Sequence, residues 1–249
     1  MRNMIFAAAL LCSFPAGARP AEAGRASVCV YQYKGEVLVA GPAGDGWTAV
    51  NGPVLLAEGS RLRTGKNAWC QILAGDGSFM NIYENSETTL DKLRFGGEGR
   101  DYGFSFVKGR VLWMAAKLKS GLSRFEVRTP AAVCAVRGTD FAIDISSSSS
   151  EIGLFEGQLA IRSGDKESTL TAGGGAVVDA PGSEARLNAR LSRLMEAEKR
   201  RYLRLKKRVE ELRAKMAARE GFIDEFVRAR QEKLRGLEDR RREKLEKRK

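Results

Sequence analysis

The sequence predicts a mainly β protein, a β-sandwich or an irregular β-solenoid, followed by a long C-terminal α-helix with a coiled-coil seam. Three observations predict it. Glycine-rich turn clusters separate short alternating runs as far as about residue 180, the punctuation of strands joined by tight turns. After Pro181 no proline occurs, and apolar residues recur at steps of three and four, the period of a helical seam. Charge divides at the same place: of 43 basic and 31 acidic side chains, residues 185–249 hold 24 and 12. The first 184 residues are therefore balanced and the whole net charge of +12 lies in the tail, which implies two segments with different physics.

In chain order, residues 1–23 read as a secretory signal peptide. Arg2 precedes an apolar run over 4–14, Pro15 breaks it, and Ala21-Glu22-Ala23 gives a small-x-small cleavage pattern. The run is too short to cross a bilayer, and no later stretch approaches the roughly 20 apolar residues a spanning helix needs. Cys12 follows Leu11, where lipid attachment would want a small residue. A β domain is expected over 27–180. Within it, residues 68–73 and 78–83 flank Gly75-Asp76-Gly77 as a hairpin would. Further strands are expected at 123–127, 141–145, 152–155, 159–161 and 176–178, with an exposed serine loop at 146–150. Lys34-Gly35-Glu36-Val37, Lys108-Gly109-Arg110-Val111 and Glu156-Gly157-Gln158-Leu159 form a faint echo. In each, glycine precedes an inward aliphatic residue, as a tight corner between strands requires.

The helical segment is expected over 183–249, with Ser183 as N-cap and Glu184 in the first turn. Leu187, Leu191 and Leu194 begin its apolar row. Tyr202, Leu205, Val209, Leu212, Met216, Ile223 and Phe226 continue it, with Arg219 at one seam position. The spacing loosens beyond Phe226. One long helix is the expectation, with a break at Gly221 giving a helical hairpin as the alternative.

The chemistry available is narrow. The chain contains no histidine, which removes histidine-based triads and the usual zinc sites. Cys29, Cys70 and Cys134 remain after leader removal, without a C-x-x-C pair, and read as buried apolar residues in strands. Asp140 and Asp144 lie four apart, on one face of a predicted strand, whereas glycosidase carboxylates face each other across a cleft. Gly173-Gly174-Gly175 lacks the Lys-Ser/Thr of a phosphate loop. No catalytic residue, cofactor or metal is expected.

Residues 127–141 read V-R-T-P-A-A-V-C-A-V-R-G-T-D-F. Proline is confined to strand starts, edges and bulges, and glycine within a strand marks a bulge or close approach. Thr129, Pro130, Val136, Arg137, Gly138, Thr139 and Phe141 thus define a sharply shaped β corner. With Gly35-Glu36-Val37, the run at 56–65, Gly75-Asp76-Gly77-Ser78, 154–159 and 170–174, this segment resembles the FecR domain family of bacterial envelope proteins over residues 33–180. The resemblance implies an all-β periplasmic module that binds or senses partners. Its best-described relatives relay signals from an outer-membrane receptor to a cytoplasmic sigma factor. The sequence offers neither the cytoplasmic N-terminal region nor the spanning helix of those relatives. Arg137 reads as a partly buried guanidinium that satisfies carbonyls or pairs with Asp140 or Asp144; the alternative is an anion contact on the surface.

The expectation is a non-enzymatic exported protein of the periplasm or cell envelope. Its β domain would bind or sense, and the coiled coil (Leu205, Val209, Leu212, Met216, Ile223, Phe226) would oligomerise or attach it to a protein partner. Two alternatives stand beside it: a basic helix binding an anionic envelope polymer or lipid surface, and a carboxylate-based hydrolase. Nucleic acid is not expected as a partner, because the tail has no spaced aromatic platforms on which bases could stack.

Overall fold

The computed structural model describes residues 27–42, 44, 46–96, 99–117 and 124–247, so the leader expected at 1–23 lies outside the described residues. Two β sheets face each other. The central sheet runs in the order β4 (Val54–Leu56), β1 (Val28–Lys34), β6 (Trp69–Ala74), β7 (Phe79–Ile82), β9 (Gly99–Met114), β12 (Asp140–Ser146), β13 (Ser149–Glu156), β16 (Gly175–Val178) and β17 (Arg186–Asn188). The outer sheet runs β3 (Thr48–Ala49), β2 (Val37–Ala40), β5 (Arg61–Thr64), β8 (Glu87–Gly96), β9 again, β10 (Arg124–Arg128), β11 (Val133–Val136), β14 (Gln158–Ser163) and β15 (Lys166–Thr171). Pairing is antiparallel except between β9 and β10. The expected hairpin is present, with Cys70 opposite Ile82 and Leu73 opposite Phe79. Asp76 closes its turn by accepting from the Ser78 amide at 2.8 Å.

β9 belongs to both layers. Its first part pairs with β8 and β10 in the outer sheet, and Gly109–Met114 pairs with β12 in the central one. Strand periodicity follows the crossing. Tyr102, Phe104 and Phe106 point into the space between the sheets, and so do Val111 and Trp113 after the corner. There Trp113 meets Phe125 from the opposite sheet at 4.6 Å and Phe104 at 5.0 Å. The three echoed glycines stand where the chain turns from one sheet into the other, all with left-handed backbone: Gly35 at φ +74°, Gly109 at +98° and Gly157 at +87°. The echo is therefore a corner signal, as glycine ahead of an inward aliphatic residue suggests.

The central sheet is apolar on both faces. Val28, Ile72, Trp113 and Phe141 face the inter-sheet core, while Cys29, Leu73, Leu112, Met114 and Ala142 face the other way. Two helices cover that second face: α1 (Arg193–Ala217) and α2 (Phe222–Glu246). This corrects three expectations. The helix starts at Arg193, capped by the Ser192 hydroxyl, which accepts from the Met195 amide at 3.2 Å. Residues near Ser183 instead lead into β17, whose Leu187 pairs with Ala176 on the open edge of β16. The single long helix is broken at Gly221, whose φ of +71° reverses the chain into α2. Finally, the row assigned to a coiled coil meets the chain's own sheet. Val209, Leu212 and Ile223 are buried, and Leu205, Met216 and Phe226 are partly buried, all on the helix-covered side. A helical seam needs only an apolar counterface, and the second face of the central sheet supplies one.

The cysteines match the apolar reading. Cys29, Cys70 and Cys134 are free and fully buried, and burial pushes all three thiols up, those of Cys29 and Cys134 to about 12. The serine loop is only partly exposed, because Ser150 is fully buried within β13.

A Cβ added at Gly109 would sit 2.1 Å from Ser86 Oγ and 2.5 Å from Ser86 Cα. Combined with its left-handed backbone, Gly109→Ala should lower unfolding free energy by about 3 kcal/mol. Gly236, with nothing within 4 Å of such an atom, should gain up to about 1 kcal/mol as alanine. Urea unfolding of both variants measures the contrast.

Candidate functional site

The motif corner is built by β10, β11 and β12. Thr129 organises its first turn. The Thr129 amide donates to the Ala132 carbonyl at 2.8 Å, and Thr129 Oγ1 accepts from the Ala132 amide at 3.0 Å and the Ser150 hydroxyl at 2.8 Å. Pro130 is exposed at the turn, where its lack of an N–H removes nothing. Val136 and Phe141 are buried, the latter stacked on Trp113 at 6.3 Å. Gly138, at φ +66°, turns the chain between sheets, and the Thr139 carbonyl accepts from the Ala115 amide at 3.2 Å. These residues act together as a corner.

Arg137 does not join them. Its side chain is exposed and has no hydrogen-bond or ion-pair partner among the described residues, which overturns the reading of a buried guanidinium paired with Asp140 or Asp144. Strand alternation explains the error: Val136 must face the core, so Arg137 faces out. The arginine that pairs with Asp144 is Arg110, one residue past the β9 corner, with Nε 2.7 Å from Asp144 Oδ1.

Arg110 also reaches Glu198 of α1 at 3.3 Å, and Glu198 binds Arg201 within its own helix. Glu198 is fully buried, and removing either guanidinium would leave it with one paired cation fewer. Tyr83 completes this corner beneath Arg201, at 5.2 Å from ring centre to guanidinium, and burial with Glu198 nearby pushes its hydroxyl up. Farther along α1, Tyr202 stacks on Phe155 at 5.3 Å, and burial, with the Glu156 and Asp140 carboxyls nearby, pushes its hydroxyl up. Lys206 pairs with Glu156. Arg213 donates to the carbonyls of Gly77 and Met114, both at 2.9 Å. In α2, Asp224 accepts from the Ser27 hydroxyl at 2.8 Å. The polar groups on the helix-covered face therefore fasten helix to sheet. Asp140 and Asp144, the pair weighed as acid and base, both lie in this interface.

Sequence reasoning missed Glu198 and Arg213, and placed Arg110 only in the glycine echo and Tyr202 only in the apolar row. One signal was available. Glu198 sits midway between Leu194 and Tyr202, at a position of the apolar row. A charge there demands a buried cation opposite, although nothing in the sequence identifies Arg110 as its source.

The opposite surface is different. Outside the outer sheet, Arg124, Arg137 and Arg162 border a shallow cavity of about 630 Å³. Arg128 at 2.7 Å and Arg124 at 3.6 Å hold Glu126 between them, and the Arg128 bond leads in keeping the Glu126 carboxyl below the usual range.

Comparison with known proteins agrees with the resemblance. The family model described as FecR protein matches residues 60–160, from the start of the outer sheet's β5 to the middle of β14. No curated protein matches the chain. Two crystal structures of a candidate anti-sigma factor from Parabacteroides distasonis align at a TM-score of 0.44 and 14% identity. Each alignment covers 52% of this chain and 59% of that one.

Burial pushes the Asp140 carboxyl up to about 6, against the opposing pull of Tyr202 and Arg213. The folded state thus binds this proton more tightly than the unfolded chain, whose carboxyl titrates at 3.8. Stability from this group is gained as pH falls through 6 and lost as pH rises. Glu126 and Glu156 have lowered values and matter only at lower pH. Asp140→Asn should therefore stabilise the fold by roughly 2 kcal/mol at neutral pH and by little at pH near 4.5. Thermal unfolding across that range measures it; an equal effect at both ends would contradict the assignment.

Proposed function

We propose that this chain is a non-enzymatic, exported adaptor of the cell envelope. Its FecR-type β domain binds or senses a protein partner, and its helical region secures it in place. The observation that carries this reading is the asymmetry of the two sheets. Within the region that matches the FecR family, the central sheet is covered by helices, while the outer sheet leaves its arginine-bordered face open. The candidate catalytic carboxylates are engaged in the covered interface, which favours a binding module over the hydrolase alternative. Among the described residues no helix is long and apolar enough to cross a membrane. In this reading the helical region attaches the protein through an exposed surface.

The second half of α2 provides one. Residues 238–247 are exposed and set Arg240, Arg241, Arg242, Lys244 and Lys247 among Glu238, Asp239, Glu243 and Glu246, with Leu245 56% exposed beside them. The run of three arginines beside an exposed leucine gives this helix end a local attraction to an anionic surface, about 1 kcal/mol for each basic residue that reaches it and less where an acidic neighbour offsets it. Self-association through the helices would have to use exposed residues such as Leu203, Leu237 and Leu245, because Val209, Leu212 and Ile223 are already covered.

The full chain should sediment with vesicles containing anionic lipid, be released by high salt, and ignore neutral vesicles. The triple substitution Arg240→Glu, Arg241→Glu, Arg242→Glu should weaken that binding at least about tenfold. Salt-independent sedimentation would remove the electrostatic attachment. Hydrolysis of an envelope polymer that disappears in Asp140→Asn would overturn the non-enzymatic reading.

A further inference from the structure

The open face of the outer sheet has an unusual floor. In the pairing of β10, β11, β14 and β15, Glu126 stands opposite Ala135, Ala135 opposite Ala160, and Ala160 opposite Thr169. Alanine is depleted in strands, because a pleated surface favours branched and aromatic side chains. Two alanines side by side in mid-sheet leave a trough running across the strands. Its walls are the neighbouring rows. On one side Arg128 stands opposite Val133, Val133 opposite Arg162, and Arg162 opposite Glu167. On the other are Arg124, Arg137 and Gln158.

Four arginines therefore flank a floor of methyl groups. Glu126 is already taken by Arg128 and Arg124. Arg137 and Arg162 have no ion pair among the described residues, although both are exposed. A guanidinium fork is matched to carboxylate geometry and is weakly hydrated, which makes it suited to such pairing at an interface. Neighbouring strands lie about 4.8 Å apart, so a trough crossing four strands is about 14 Å long, the reach of four or five extended residues. The bordering side chains supply no aromatic platform: Phe125 lines the cavity only from beneath and is 5% exposed. Sugars and nucleobases lack the ring face on which they stack. An extended peptide needs none, since its backbone and small side chains fit an alanine floor.

We propose that the Ala135–Ala160 trough binds an extended acidic segment of a partner polypeptide, its carboxylates paired with Arg137 and Arg162. This rests on reading the β domain as a binding module and supplies the chemistry of its partner.

The test is fluorescence anisotropy of the full chain with a labelled peptide of alternating Glu and Ala, a Lys-for-Glu control, and an uronic-acid oligosaccharide. The acidic peptide should bind, and the Lys peptide should not. Arg137→Ala with Arg162→Ala should weaken binding at least about tenfold, since each lost charged pair is worth a kcal/mol or more. Ala160→Tyr, which fills the floor without changing charge, should also abolish binding. Alanine replacement of Arg240, Arg241 and Arg242 on α2 should leave it unchanged. Circular dichroism of each variant separates lost binding from lost folding. The proposal fails if the α2 variant loses the peptide while the trough variants keep it. It fails too if the oligosaccharide binds in an Arg137-dependent way and the peptide does not. Peptide binding that persists in a chain with no envelope association would instead count against the adaptor reading alone.

Discussion

The central sheet has apolar side chains on both faces, and the need to cover the second of them shapes the rest of the molecule. Leu73, Phe79, Leu112, Met114 and Phe155 would face water without the helices. Each such side chain is worth about 2 kcal/mol when removed from water. An antiparallel sheet usually has one solvated face, and here that role falls to the outer sheet. The helices in turn owe their position to the sheet. Met195 approaches so closely that a Cβ on Gly153 would meet it at 2.7 Å, and Tyr31 meets Phe226 at 4.9 Å.

Packing on an apolar face does not by itself fix register, and polar groups supply that. Glu198 is tied to Arg110, Lys206 to Glu156, and Arg213 holds two backbone carbonyls. A slip of one helical turn would part Glu198 from Arg110 of the sheet and leave it only Arg201 of its own helix, so that a buried carboxylate would lose one of its two cations. Asp140 links this clamp to the motif corner, since its buried carboxyl, between Thr139 and Phe141, lies within the influence of Tyr202 and Arg213 of α1. The corner thus shapes the inter-sheet core, anchors α1 on one side, and presents Arg137 on the other.

Much of the β architecture was legible locally. The Asp76-Gly77 hairpin, the three corner glycines and the motif itself rest on turn chemistry and backbone conformation, which act within a few residues. The helical row was legible as an apolar stripe, but its counterface was not. Periodicity reports that Val209 and Leu212 must be covered, and a second helix and a β sheet satisfy it equally. The start at Ser192 was hidden because Ser183 offers similar capping chemistry, and only the open edge of β16 decides between them. Arg137 was misjudged because its neighbours in sequence are apolar, whereas alternation sends every second one outward. The Ala135–Ala160 trough joins residues 25 positions apart, a juxtaposition that only strand pairing creates.

The account stands most directly on the docking of α1 against its own sheet. A double-mutant cycle between Phe155→Leu and Tyr202→Leu, read by urea unfolding at several protein concentrations, measures it. Docking predicts a coupling of roughly 0.5–1.5 kcal/mol and a midpoint independent of concentration. Additive effects, with a midpoint that rises with concentration, would mean that the helical row pairs with another chain instead.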